Sequence, residues 1–171
     1  MTIVAGYFYG IDHVRTAGAL VLLGGAHDIF DGRVARLSGL QSKFGAFYDS
    51  VLDRISEVVI YIGLISLYNQ YEMTLFNIGM IYMIALAMAG SLMISYTRAK
   101  AEVLGLECTV GLMQRAERVV LLGLGSLMFG LSWNGFVLSA IIVVFAVLTN
   151  LTAIRRIVWV HKAAAGVPLD S

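Results

Sequence analysis

Residues 73–97 and 119–154 contain no Asp, Glu, Lys or Arg, and nothing else in the chain restricts its fold as much. At 1.5 Å per residue the first run makes a helix of about 37 Å, enough to cross a hydrocarbon layer of about 30 Å. The second run, at 36 residues, is too long for one crossing. Ser132-Trp133-Asn134-Gly135 supplies turn chemistry and an interfacial tryptophan in its middle, so it divides into helices over about 113–131 and about 135–160. Two more stretches, 16–30 and 46–68, are apolar at one end and acidic at the other. Composition agrees, since 13% of the residues are charged against about 25% in soluble domains. The expected fold is all-α, a polytopic transmembrane helical bundle of five spans forming a single domain over residues 1–171.

Orientation follows from the basic residues, which concentrate in cytoplasmic loops. Ten of the twelve fall on one side: Arg33, Arg36 and Lys43 at the first turn, Arg98, Lys100, Arg115 and Arg118 around the 98–118 connection, and Arg155, Arg156 and Lys162 after the last helix. Arg15 falls on the other side, and Arg54 lies within a helix beside Asp53. The expected location is the cytoplasmic membrane, with the charged face toward the cytoplasm. Residues 1–6 show no basic region leading into an apolar run and a cleavage site, so no signal peptide is expected. The single cysteine, Cys108, excludes an intramolecular disulfide and any CxxC metal site.

Four carboxylates, Asp28, Asp31, Asp49 and Asp53, occupy this same face within 26 residues. Acidic groups at a membrane edge are costly unless paired, hydrated or bound to a cation. Residues three or four apart share a helix face, so Asp28 and Asp31 project together from one helix and Asp49 and Asp53 from the next. The short connection between Arg36 and Gly45 makes the helices antiparallel neighbours, and their carboxylates can converge. An all-oxygen donor set favours Mg²⁺, Mn²⁺ or Ca²⁺ over zinc, and His27 suits packing better than ligation. Gly32 and Gly45, without a Cβ, let a ligand approach the backbone; Ala35 is small for the same reason, while Arg33 and Arg36 can meet phosphate oxygens. Two bridged cations, a groove of small residues and nearby arginines suit a pyrophosphate-containing substrate undergoing displacement at phosphorus.

The pattern Asp28-x-x-Asp31-Gly32-x-x-Ala35-Arg36, eight residues, Gly45-x-x-x-Asp49-x-x-x-Asp53 resembles the signature of the CDP-alcohol phosphatidyltransferases at every fixed position. The resemblance implies transfer of a substituted phosphate from a CDP-linked donor to an alcohol with release of CMP. By it, Asp28, Asp31 and Asp49 ligate Mg²⁺ or Mn²⁺, two ions in all. Asp53 joins them or serves as general base, and Gly32, Ala35, Arg36 and Gly45 line the donor's nucleotide site. It also implies six transmembrane helices and a homodimer. Only residues 2–10 precede the family's second helix here, so the first is expected to be missing or truncated.

A second polar set comprises Ser95, Arg98, Arg115, Arg118 and Arg155. Arg115 and Arg118 stand one turn apart on one helix face, and such arginines can hold a phosphate bidentately, although the positive-inside rule alone would place some of them here. The segments 95–102 and 111–118 resemble the branch of the family that makes phosphatidylinositol phosphate, or its archaeal ether-lipid counterpart, from inositol phosphate. That branch implies an acceptor-phosphate pocket at Ser95, Arg98, Arg118 and Arg155, and a donor of CDP-diacylglycerol or CDP-archaeol. Glycerol phosphate, serine or choline are the alternative acceptors. A cation transporter, the competing class, would spread its acids through the membrane depth or repeat them in two halves of the chain. Membrane lipids are the remaining expected partner, and nucleic acid is not one.

Overall fold

The computed structural model describes residues 1–38, 42–108, 110–111 and 113–166, with the backbone alone over 29–38. The chain runs through six helices: α1 (Thr2–Gly10), α2 (Val14–Ser38), α3 (Lys43–Asn69), α4 (Leu75–Val103), α5 (Arg115–Phe129) and α6 (Phe136–Ala164). Helices α2 to α6 correspond to the five expected spans. Among the described residues, α4 and α6 are long and apolar enough to cross a membrane by length and composition. Helices α2 and α3 are of similar length but carry the acidic motif and its arginines at one end.

The expectation of a missing first helix takes a specific form. Residues 2–10 are helical, but nine residues rise only about 14 Å, short of a crossing. Ala5, Gly6 and Tyr9 are nonetheless buried, because α1 docks on α3 and α2. The docking is close: a Cβ at Gly63 would run into the carbonyl oxygen of Gly6, and one at Gly6 would lie 2.5 Å from the carbonyl oxygen of Val59. Small residues that let backbones approach are what hold helices together in lipid, where burial of apolar surface supplies little driving force between them. The Tyr9 hydroxyl lies 2.7 Å from Ser126 Oγ on α5, which gives the phenol a partner in an otherwise apolar core.

Helix α4 packs on α6, α2 on α5, and α3 on both α1 and α4. The core between them is built from Val21, Leu64, Leu67, Ile84, Leu138, Ile142 and Phe145. At one end of the bundle the Tyr71 hydroxyl donates to Asp12 Oδ1 at 2.8 Å and Arg15 Nη2 donates to Ser132 Oγ at 3.3 Å, joining three of the connections. The turn expected at 132–135 is there: Trp133, Asn134 and Gly135 all have positive φ, reversing the chain between α5 and α6. The opposite end gathers the start of α3, the start of α5 and the end of α2, and it holds the acidic motif.

Candidate active site

Helix α3 begins at Ser42, whose Oγ accepts from the backbone N–H of Gly45 at 2.9 Å, an N-cap that satisfies one orphan amide. From that start the four-residue period places Asp49, Asp53 and Glu57 in one stripe. Asp49 is exposed, while Asp53 and Glu57 are progressively closer to the core.

Helix α5 faces this stripe with arginines at matching heights. Arg115 Nη1 lies 2.7 Å from Asp53 Oδ2, and its Nη2 donates to Asp28 Oδ2 at 2.8 Å. One guanidinium fork therefore spans two carboxylates from two helices; α2 and α3, expected as direct antiparallel neighbours, make no close backbone contact among the described residues and are linked here through Arg115 of α5. One turn deeper, Arg118 Nε donates to Glu57 Oε1 at 2.7 Å and Arg118 Nη1 donates to the Met113 carbonyl at 2.8 Å. Arg118 is only 4% exposed. Two ion-pair rungs thus stack down the α3–α5 seam, the outer one wet and the inner one dry.

Among the described residues no three Asp, Glu, His or Cys side chains lie close enough to hold a metal ion. Asp31, Arg33, Ala35 and Arg36 have side chains outside the described residues; with Gly32 they occupy positions on α2 just beyond Asp28. The donor chemistry fits a hard divalent cation. Asp28 and Asp53 already direct one oxygen each at a single positive group, and every acidic group of the motif offers oxygen alone.

Two clefts open from this end. Between α2 and α5, Leu22, Gly25, Ala26, Val119 and Val120 line an apolar groove of about 490 Å³ that ends at Asp28 and Arg115. Between α3 and α4, Ser50, Arg54, Ser95, Arg98 and Glu102 line a polar cleft of about 590 Å³, in which Arg98 Nε lies 3.0 Å from Glu102 Oε1. The five residues of the second polar set are therefore distributed. Ser95 and Arg98 share this cleft, Arg115 and Arg118 stand on the α3–α5 seam, and Arg155 is exposed on α6. Its neighbour Arg156 is the one turned inward, donating from Nε to the Val110 carbonyl and from Nη1 to the Ile94 carbonyl, each at 2.7 Å.

Glu57 is not among the candidate site residues, and of the Arg155-Arg156 pair at the end of the last helix only Arg155 is. Glu57 had a signal, because it continues the four-residue spacing of Asp49 and Asp53. Arg156 had none, since an arginine pair at a helix end does not reveal which member faces inward.

A model of the CDP-alcohol phosphatidyltransferase family matches residues 1–152. The archaetidylinositol phosphate synthase of Methanothermobacter thermautotrophicus is 39% identical over 158 residues, which span 92% of this chain and 75% of that protein. The phosphatidylinositol phosphate synthase of Mycobacteroides abscessus is 30% identical over 162 residues, 92% of this chain and 70% of that one. In fold, the chain is similar to the phosphatidylinositol phosphate synthase of Mycobacterium tuberculosis solved with CDP-DAG bound. The TM-score is 0.84 at 22% identity, over 99% of this chain and 85% of that one. The same enzyme has been solved with manganese and citrate, again at a TM-score of 0.84.

Proposed function

The chain belongs to the CDP-alcohol phosphatidyltransferase family, and we propose that it transfers the lipid-linked phosphate of a CDP-lipid to a hydroxyl of inositol phosphate, releasing CMP. It is an integral membrane transferase of phospholipid biosynthesis. The observation that carries the reading is the meeting of Asp28 and Asp53, from two helices, on the one guanidinium of Arg115. It is supported by relatives named as an archaetidylinositol phosphate synthase and a phosphatidylinositol phosphate synthase.

The roles follow from position. Asp28, Asp31, Asp49 and Asp53 hold two divalent cations, Mg²⁺ or Mn²⁺, at the membrane edge. Bound there, the cations neutralise the donor's diphosphate and the charge that develops as phosphate is transferred. Gly32, Ala35, Arg36 and Gly45 border the nucleotide. The apolar groove between α2 and α5 runs from Asp28 along Leu22 and Val119, and takes a hydrocarbon chain of CDP-diacylglycerol or CDP-archaeol. Asp53 accepts the proton of the acceptor hydroxyl. The hydroxyl oxygen bonds to the lipid-bearing phosphorus, and the bond from that phosphorus to the oxygen bridging it to the CMP phosphate breaks. Ser95, Arg98, Arg115, Arg118 and Arg155 serve the acceptor phosphate from the adjoining cleft and seam.

The whole chain, residues 1–171, acts as one catalytic domain. Its reactive end faces the cytoplasm, a reading supported by the ten basic residues that gather on that side. The exposed apolar faces of α4, with Tyr82, Leu86 and Met93, meet lipid and a second copy of the chain. The test is CMP release from the CDP-lipid by purified protein in detergent, with inositol phosphate and glycerol phosphate offered separately. Release is expected with inositol phosphate and Mg²⁺ or Mn²⁺, and its loss in EDTA. Release with glycerol phosphate alone would overturn the acceptor assignment.

A further inference from the structure

Glu57 stands outside the signature, yet its side chain is only 12% exposed and its Oε1 holds Arg118 Nε at 2.7 Å. Its second oxygen, Oε2, is buried with no hydrogen-bond partner. A carboxylate left half-satisfied at a helix seam is costly, and an apolar side chain would fill the place more cheaply. What the pair does achieve is geometric. Glu57 takes Arg118 at Nε, and the Met113 carbonyl takes it at Nη1. These two contacts, from two different elements, fix the plane of the guanidinium. Residues Asp53, Ser56, Glu57, Tyr61, Arg115 and Arg118 line one small cavity of about 30 Å³, room for about one water molecule. The inner rung is therefore continuous with the outer rung that bears Asp53.

We propose that Glu57 is a positioning residue of the transfer reaction: it locks Arg118 in the orientation that engages the acceptor's phosphate. The inference rests on the proposed role of Arg118 and adds the group on which that role depends. Arg118 comes from the chain immediately after the 104–114 connection, and without the carboxylate on α3 its long side chain has several rotamers open to it. A guanidinium fixed in advance loses less freedom when a phosphate arrives. Orientation, rather than charge, is the contribution, since Glu57 subtracts from the positive charge that an anion meets.

The test compares Glu57→Ala and Glu57→Gln with wild type and with Arg118→Ala, measuring KM separately for inositol phosphate and the CDP-lipid. Glu57→Ala is expected to raise the acceptor KM about tenfold or more while the donor KM stays within about twofold. Glu57→Gln, whose amide oxygen still accepts from Nε, is expected to restore the acceptor KM to within about threefold of wild type. A merely structural role would move both KM values together. An acceptor KM left unchanged or lowered in Glu57→Ala, or no recovery in a folded Glu57→Gln protein, overturns the inference. If Arg118→Ala itself leaves the acceptor KM unchanged, the acceptor assignment has failed. If Arg118→Ala raises it and Glu57→Ala does not, the positioning role alone has failed.

Discussion

Replacing Arg115 with alanine separates the ion-pair chemistry of the site from its metal chemistry. In the structure one guanidinium binds Asp28 at 2.8 Å and Asp53 at 2.7 Å, with side-chain exposures of 28% for Arg115, 43% for Asp28 and 21% for Asp53. A hydrogen bond to a charged group is worth about 1.5–3 kcal/mol when shielded, whereas exposed ion pairs are worth about 0.2–1 kcal/mol. The half-wet Asp28 bond belongs near the lower figure and the drier Asp53 bond between the two, so the pairs together contribute about 1–2 kcal/mol. For a chain of this size that corresponds to roughly 2–8 °C in Tm, read by thermal unfolding in detergent with EDTA present.

A divalent cation bound by Asp28 and Asp53 must displace the guanidinium from the same oxygens. Saturating Mn²⁺ is therefore expected to erase most of the Tm difference between Arg115→Ala and wild type. By linkage, Arg115→Ala is expected to bind Mn²⁺ more tightly by about tenfold, since about 1.4 kcal/mol of competing interaction has been removed. Binding is measured by calorimetry or by the electron paramagnetic resonance signal of free Mn²⁺, and neither readout needs turnover. An equal loss of Tm with and without Mn²⁺, together with unchanged affinity, would refute a cation site on these two carboxylates.

Asp28→Ala and Asp31→Asn are each expected to abolish CMP release while the protein still purifies as a folded species; retained turnover would contradict their assignment as metal ligands. Arg118→Ala is expected to raise the KM for inositol phosphate and leave that for the CDP-lipid, as steady-state kinetics with each substrate varied will show. Because removing one partner of a buried pair strands the other, the same substitution is expected to destabilise the protein by about 3 kcal/mol or more. Gly63→Leu should push α1 off α3, because its Cβ would meet the Gly6 carbonyl. Faster proteolysis within residues 1–13 reports this, and an unchanged cleavage pattern would argue against the close docking.

Much of the catalytic end is legible in the residues themselves. Charge-free runs define α4 and the α5–α6 pair, the Ser132 to Gly135 turn divides them, and the aspartate spacing puts Asp49 and Asp53 in one stripe of α3. These follow from local rules: helix period, turn chemistry and the cost of charge in lipid. The position of α1 does not. Residues 2–10 read as a stub before the first span, and their burial depends on a glycine in α3 far along the chain. The same is true of the arginines. Sequence offers Arg115 and Arg118 as a pair on one face, but not that one bridges Asp28, 87 residues away, and the other meets Glu57, 61 residues away.

The sequence by itself therefore determined that this chain is a helical membrane protein that carries four carboxylates within 26 residues. Tertiary structure alone decided which arginine answers which carboxylate, that Arg156 rather than Arg155 turns inward, and that a helix too short to span is held in place. The physical reason is that a lipid-facing and a protein-facing helix surface are equally apolar, so hydrophobic pattern does not encode how helices turn toward one another. That rotation is fixed by close backbone approaches and buried polar pairs, which exist only once distant segments have met.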